Sequence, residues 1–300
     1  MTISPSIKNI LICPSCQSPL QFGDETSCPN CGARYGKTKE GKLNFHLQGP
    51  KRYQTETIIN SAVHCPSDNF FGPLQANPTA EVDLSSLPPI RHLCPALLSY
   101  MPRAKTEEAI ALDIGCGKTQ NRAPCQLAGY QYLGIDYREA DALFLADAQA
   151  LPLADNSIDF ALSLAVLEHL PHPEIMLREA FRVLKNGARF IGSVAFLQPF
   201  HDGSYYHFTH LGLYSMLHDI GFEVELIAPS REYSVLIATS RQLFRKMDRR
   251  YSKKIIQPII FLHKLWWKFQ PISPHDRDLS EIKRLLKFSG AHHFVVHKKQ

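Results

Sequence analysis

Two glycines and three acidic residues hold the chemistry to be explained. In "ALDIGCGKTQ" (111–120), Gly115 and Gly117 follow an apolar run that includes Asp113. Glycines at that spacing let a main chain approach a ligand closely. Asp136 lies at the end of a second apolar run, "YLGIDY" (132–137), and Asp147 closes a third, "ALFLAD" (142–147). A dinucleotide fingerprint would need a third glycine where Gln120 stands, and a P-loop would need its first glycine where Leu112 stands. Neither pyrophosphate motif is complete.

A crevice rimmed by carboxylates suits a cationic nucleoside better than a pyrophosphate. S-adenosylmethionine carries a sulfonium, an ammonium, a ribose and an adenine. The glycines would admit its amino-acid part, a carboxylate at the second strand end would accept from both ribose hydroxyls, and one at the third would accept from the adenine amine. Each carboxylate alone could equally be a helix cap or a surface charge. Three at successive strand ends argue for one site.

A second constellation sits near the N-terminus. Cys13 and Cys16 ("CPSC") and Cys28 and Cys31 ("CPNCG") form two C-x2-C pairs with eleven residues between them. Two such turns complete a tetrahedral zinc site, and the spacing favours zinc over a pair of disulfides. A closed set of four thiolates is structural rather than catalytic, and a segment this short needs the metal to fold. The remaining four of the eight cysteines show no paired spacing.

The elements that would position the acids read as alternating strands and helices. Strands are expected at 109–115, 132–137, 142–147, 157–164, 188–196, 222–228 and 292–299. Helices are expected at 173–187, opened by Pro173 and capped by Gly187, and at 210–221. This alternation predicts an α/β fold with a doubly wound, mostly parallel sheet, whose ligand lies beyond the carboxyl ends of its strands. Residues 1–46 read as a separate small module, 47–105 as a proline-punctuated connector over the entrance to the main domain, and 106–300 as that domain.

The motifs "LDIGCG", "GIDY", "ADAQALPLADNSIDFALSLAVLEHL" and "EAFRVLKNGARF" resemble a class I S-adenosylmethionine-dependent methyltransferase, over 109–228. The run "DAQALPLADNSID" followed by "LEHL" looks most like the branch acting on small molecules and lipids. The resemblance implies a Rossmann-like sheet in which Asp113, Gly115 and Gly117 hold the amino-acid end of the cofactor. It further implies that Asp136 takes the ribose, Asp147 and Ala148 the adenine, and Leu164 the neighbourhood of the methyl group. Many members carry a third glycine where this chain has Thr119. Residues 8–46 resemble a zinc ribbon of the kind fused to some methyltransferases.

Methyl transfer mainly needs alignment and exclusion of water, with a base only where the acceptor must lose a proton. His169, in "VLEHL", is a candidate base, or with Glu168 it orients a loop. The cluster "QPFHDGSYYHFTHLGL" (198–213) places His201 and Tyr206 as further catalytic candidates, in a segment resembling one found in methyltransferases of glycan or lipid-linked metabolism. Its aromatics could instead cover the sheet edge. The acceptor is accordingly a small molecule or a lipid- or glycan-linked compound. The alternatives are rRNA or tRNA, since some rRNA guanine methyltransferases also carry a zinc ribbon, and a non-catalytic module that only binds the cofactor. Nucleic acid is disfavoured by an only mildly basic ribbon and by the lack of an interleaved aromatic and basic patch outside the C-terminal insert.

An insert is expected at about 230–291. Residues 241–300 hold 15 Lys and Arg against four Asp and Glu, whereas the whole chain nets only +5. Residues 241–270 combine this charge with the apolar stretch "IIQPIIFLHKLWWKF", which ends near Trp266 and Trp267. Cations beside tryptophans suit a membrane interface. The other reading is a helical hairpin packed on the domain itself. Pro258, His263, Lys264 and Lys268 interrupt the stretch, so it is no clean membrane span. "MTISPSIKNILICPSC" does not read as a signal peptide, which predicts a cytoplasmic protein, peripheral on the membrane if the insert docks.

Overall fold

The computed structural model describes residues 3–54, 70–85, 87–88, 90, 93–138, 141–198, 203–230, 234–269 and 281–299. The N-terminal module holds helix α1 (Pro5–Asn9) and strands β1 (Gln21–Phe22), β2 (Thr26–Ser27) and β3 (Arg34–Tyr35), paired antiparallel in the order β1-β2-β3. Helix α2 (Pro95–Leu98) lies in the connector. The main domain then runs β4 (Ile110–Ile114), α3 (Arg122–Leu127), β5 (Gln131–Asp136), β6 (Phe144–Leu145), β7 (Ile158–Leu164), a 3-10 turn (Leu167–His169), α4 (Pro173–Val183) and β8 (Leu184–Ala195). It continues through α5 (His210–Ile220), β9 (Phe222–Pro229), α6 (Ser234–Leu243), α7 (Arg249–Phe269), α8 (Glu281–Lys287) and β10 (Ala291–Lys298).

The large sheet has seven strands in the order β6-β5-β4-β7-β8-β10-β9. Only β10 runs against both its neighbours. The chain leaves β4 outward through β5 and β6, then returns to β7 on the other side of β4. That reversal opens a crevice at the carboxyl ends of β4 and β7, where open α/β sheets bind ligands.

The central strands are buried on both faces, as a parallel sheet requires. On one face α4 and α5 contribute Met176, Leu177, Ala180, Leu213 and Leu217 to the core. On the other, the connector supplies Leu93, Leu97, Leu98 and Met101. The connector is therefore a packed layer, and Phe71 reaches across to form a bridge with Ile227 of β9.

Two local expectations are corrected. Helix α4 stops at Val183, not at 187, and β8 begins at once with Leu184 in extended conformation. Gly187 lies inside β8 with φ +75°, so its left-handed backbone bends a strand rather than capping a helix. The third strand is also shorter than 142–147, since only Phe144–Leu145 pair with β5. Helix α5 follows expectation: Thr209 caps its start and Gly221, with φ +112°, its end.

The N-terminal module is stitched to the free edge of the sheet. Phe45 N donates to Leu145 O at 2.8 Å and Leu145 N to Leu43 O at 3.0 Å, so residues 43–45 add a short pairing beside β6. Phe45 meets Phe144 edge-on at 5.2 Å between ring centres, and Tyr35 packs behind it at 5.3 Å. Ile12 N also donates to Pro152 O at 3.0 Å. An open edge that could recruit other chains is thereby covered.

Candidate functional site

The glycine loop turns directly off β4. Gly115 N and Cys116 N both donate to Ile135 O, at 2.9 and 3.0 Å, which fixes the loop against β5. Gly115 (φ +72°) and Gly117 (φ +49°) occupy the left-handed region. A Cβ on Gly115 would overlap the methyls of Val166, so the turn after β7 presses onto the loop. A Cβ on Gly117 would meet nothing within 4 Å, so this backbone borders open space.

Asp136 stands at the end of β5 across from the loop. Its Oδ2 accepts from Gly117 N at 3.1 Å and its Oδ1 from Arg138 N at 3.0 Å. One carboxylate thus ties the phase of the glycine loop to the next strand while remaining half-buried at the crevice. Asp147 follows β6, with Oδ1 accepting from Gln149 N at 2.8 Å, and Ala148 beside it is half-buried. Leu164 ends β7 on the near side of the crevice.

Asp113 behaves differently from the other two acids. It is 1% exposed, and its Oδ2 accepts from Tyr132 Oη at 2.6 Å and Asn121 Nδ2 at 3.1 Å. Gly134 makes this possible, because a Cβ there would meet the Tyr132 ring at 2.8 Å. Burial pushes the Asp113 carboxyl up to about 6, against the pull of its two donors and with help from nearby Asp136. Asp113 therefore serves the loop from beneath. Tyr132 and Asn121 were not singled out from the sequence; the signal is the tyrosine two residues before a strand glycine.

The raised value has a defined sign. Folding favours the protonated acid, so the stabilising contribution is whole below the ordinary value of 3.8 and is lost as pH rises through about 6. Asp113→Asn is expected to flatten the decline in urea midpoint between pH 4 and pH 6 relative to the parent chain. Superimposable pH profiles for the two would refute this.

Thr119, at the position where many class I members have glycine, sits at φ +54°. A β-branched residue is strained there. Thr119→Gly is expected to raise stability by about 1 kcal/mol, a strain of about 2 kcal/mol less roughly 1 kcal/mol for the chain entropy that glycine adds. A lower thermal midpoint for the variant would contradict this.

The turn after β7 gathers the catalytic candidates. Ala165 (φ +57°) and Val166 lead into Leu167–His169. His169 Nδ1 lies 3.1 Å from Gly203 O. Tyr205 N donates to Glu168 O at 2.7 Å, and Tyr206 Oη to Pro171 O at 3.0 Å. His169 and Tyr206 are thus brought to one turn, with Tyr206 exposed and its hydroxyl engaged by backbone. His201 lies outside the described residues. Glu168, by contrast, is fully buried: its Oε1 accepts from Ala195 N at 3.2 Å, and burial pushes its carboxyl up. It holds the turn against the end of β8.

The four N-terminal cysteines converge. Their sulfurs all lie within 4.8 Å of one another, and no disulfide joins them. Cys13 Sγ is 3.6 Å from Cys31 Sγ, and Cys16 Sγ is 3.5 Å from Cys28 Sγ. Burial opposes ionisation of the Cys16 thiol, yet hydrogen bonds from Ser18 and Asn30 bring it down to about 6. The sulfur spacing fits a tetrahedral ion with bonds of about 2.3 Å, which sets the edges near 3.8 Å.

Residues 112–192 match the family model of a methyltransferase domain. An uncharacterized methyltransferase of Mycobacterium leprae is 36% identical over 105 residues, 30% of this chain and 39% of that protein. One of Mycolicibacterium gilvum is 27% identical over 147 residues, 44% of this chain and 53% of the relative. A solved S-adenosylmethionine dependent methyltransferase of Mesorhizobium loti is 16% identical, with TM-score 0.45, over 68% of this chain and 96% of that one. The matched segment, 112–192, is similar to a methyltransferase domain and lies within the α/β sheet. The chain spans only about half, or less, of the length of these curated relatives.

Proposed function

We propose that the protein transfers a methyl group from S-adenosylmethionine to a small-molecule or lipid- or glycan-linked acceptor. One observation carries this reading. The Asp136 carboxylate at the end of β5 meets the open backbone of Gly117 beyond β4, which brings a ribose acceptor beside a loop that an amino-acid group can approach. Asp147 and Ala148 follow on the adenine side, and Leu164 borders the methyl.

Bound there, the donor supplies a methyl already activated on a sulfonium: the acceptor's lone pair forms the new bond to carbon, the carbon–sulfur bond breaks, and its electron pair stays on sulfur as a neutral thioether. The chain orients the partners, and the 203–208 loop against His169 shields the site from water. Where the acceptor is an O–H or N–H group, its proton passes to His169 or to solvent. The four cysteines hold a structural zinc in the same proposal.

Calorimetry with S-adenosylmethionine tests the donor: no heat from folded protein removes it. A methyl-label assay on cell extract divided into lipid, RNA, protein and small-molecule pools tests the acceptor, and label in RNA alone would replace the present reading.

The insert adds a partner to this proposal. No described helix is long and apolar enough to cross a membrane. Helices α6 and α7 pack on each other through Leu236, Ile237, Ile256 and Ile260. The opposite face of α7 exposes Tyr251, Ile255, Ile259, Leu262, Trp266 and Phe269, spaced as one helical stripe. Arg250, Lys254 and Lys268 flank it, and none of the helix's 21 residues is acidic. The side chain of Trp267 lies outside the described residues. Such a face suits the surface of an anionic bilayer. Co-sedimentation with phosphatidylglycerol vesicles, weakened by salt and by Leu262→Asp, is the expected result; no binding at low salt would dispose of it.

A further inference from the structure

A cavity of about 600 Å³ opens at the carboxyl ends of β8 and β9, between the connector and the helical insert. Its floor shares a row of the sheet with Leu164. Leu164 of β7 is registered opposite Ser193 of β8, and Ser193 opposite His293 of β10. Residues registered side by side point to the same face of a sheet, and Ser193 and His293 both line the cavity. The row therefore runs from the residue placed at the methyl group straight into this space.

The walls divide into two chemistries. Leu74 and Leu93 from the connector face Ile237 and Leu285 from the insert, giving apolar sides. Arg241 of α6 and Lys253 of α7, both exposed, also line it. No carboxylate is found among the described lining residues. A volume of this size matches a compound of tens of atoms rather than a bare ion. Two exposed cations lining an apolar slot, with hydroxyl and imidazole groups on its floor, complement an amphiphile with an anionic head.

We infer that this cavity is the acceptor pocket and that the acceptor is an anionic amphiphile, its phosphate or carboxylate held by Arg241 and Lys253 and its apolar part lying between connector and insert. The inference rests on the methyltransferase reading above, since it supplies that reaction with its second substrate.

The test uses the full chain and dodecyl phosphate below its micellar concentration. Inorganic phosphate and dodecyl maltoside serve as the head-only and tail-only arms, and S-adenosylmethionine is titrated in parallel. Saturable one-to-one binding of dodecyl phosphate is expected, with at least tenfold weaker binding for each control. The double variant Arg241→Ala, Lys253→Ala changes two exposed side chains, so it is expected to fold. It should weaken dodecyl phosphate at least tenfold and leave S-adenosylmethionine binding unchanged. Equal binding of inorganic phosphate would mean a plain anion site, equal binding of the maltoside would mean a neutral slot, and an unaffected double variant would remove the two cations from the account; each overturns the inference while leaving the methyltransferase reading intact. Failure of the parent chain to bind S-adenosylmethionine would overturn that reading and with it the acceptor role.

Discussion

Asp136→Ala is expected to weaken S-adenosylmethionine binding about 100-fold, with little change in the thermal midpoint of the main domain. Two ribose hydroxyls donating to a carboxylate would each contribute about 1.5–3 kcal/mol, because hydrogen bonds to charged groups are the stronger kind. Even the low end of that pair corresponds to roughly a factor of 100 in affinity. The same substitution frees Gly117 N and Arg138 N from their acceptors, while Gly115 N and Cys116 N keep the glycine loop tied to Ile135 of β5. Both backbone groups can turn to water, which is why the penalty falls on binding rather than on folding. Asp136→Asn keeps one acceptor oxygen and should sit between parent and alanine variant. Calorimetric titration measures all three, and a loss of less than threefold for alanine would disprove the ribose assignment.

Metal removal should have the second large effect. Stripping the ion with a chelator, or introducing Cys28→Ser, is expected to unfold the N-terminal module and cost about 5 kcal/mol or more of its stability, since structural zinc supplies most of the folding energy of such small units. Cys28 and Cys13 are almost wholly buried, so a serine in either place leaves a hydroxyl facing three thiolates. The loss should not stay local. Residues 43–45 pair with β6, and Phe45 seats on Phe144, two residues before Ala146 and three before Asp147. Loosening that edge should weaken S-adenosylmethionine several-fold through the adenine side. Elemental analysis should give one zinc per chain before treatment, and two-probe melting with calorimetry reads the rest. A metal-free chain with an unchanged melting profile and donor affinity would defeat this account.

Much of the site could be read from local pattern. Asp113 within β4, Asp136 at the end of β5 and Asp147 just beyond β6 fall where apolar runs stop, because burial on both faces writes a continuous hydrophobic signature into short stretches. The cysteine spacing was equally plain, since two C-x2-C turns need only local geometry to aim their thiols. What stayed hidden depends on partners far away in sequence. Nothing near Asp113 announces that Tyr132 and Asn121 enclose it, and nothing near Leu43 announces that it meets β6. Gly187 misled because a glycine after a helical pattern usually ends the helix; here Leu184 is already extended and the glycine serves the strand. The cavity between connector and insert was invisible for the same reason, as its walls come from segments more than 100 residues apart.

The placement of β10 bears on how the chain acquires its shape during synthesis. It forms ladders with both β8 and β9, which do not touch each other within the sheet, and the insert separates it from β9 in the chain. A nascent polypeptide halted before Ala291 would emerge from the ribosome with β9 stranded and the flank of β8 bare. Completion of this sheet therefore waits for the synthesis of β10, and the half bearing β4 to β7 can assemble before the other half closes.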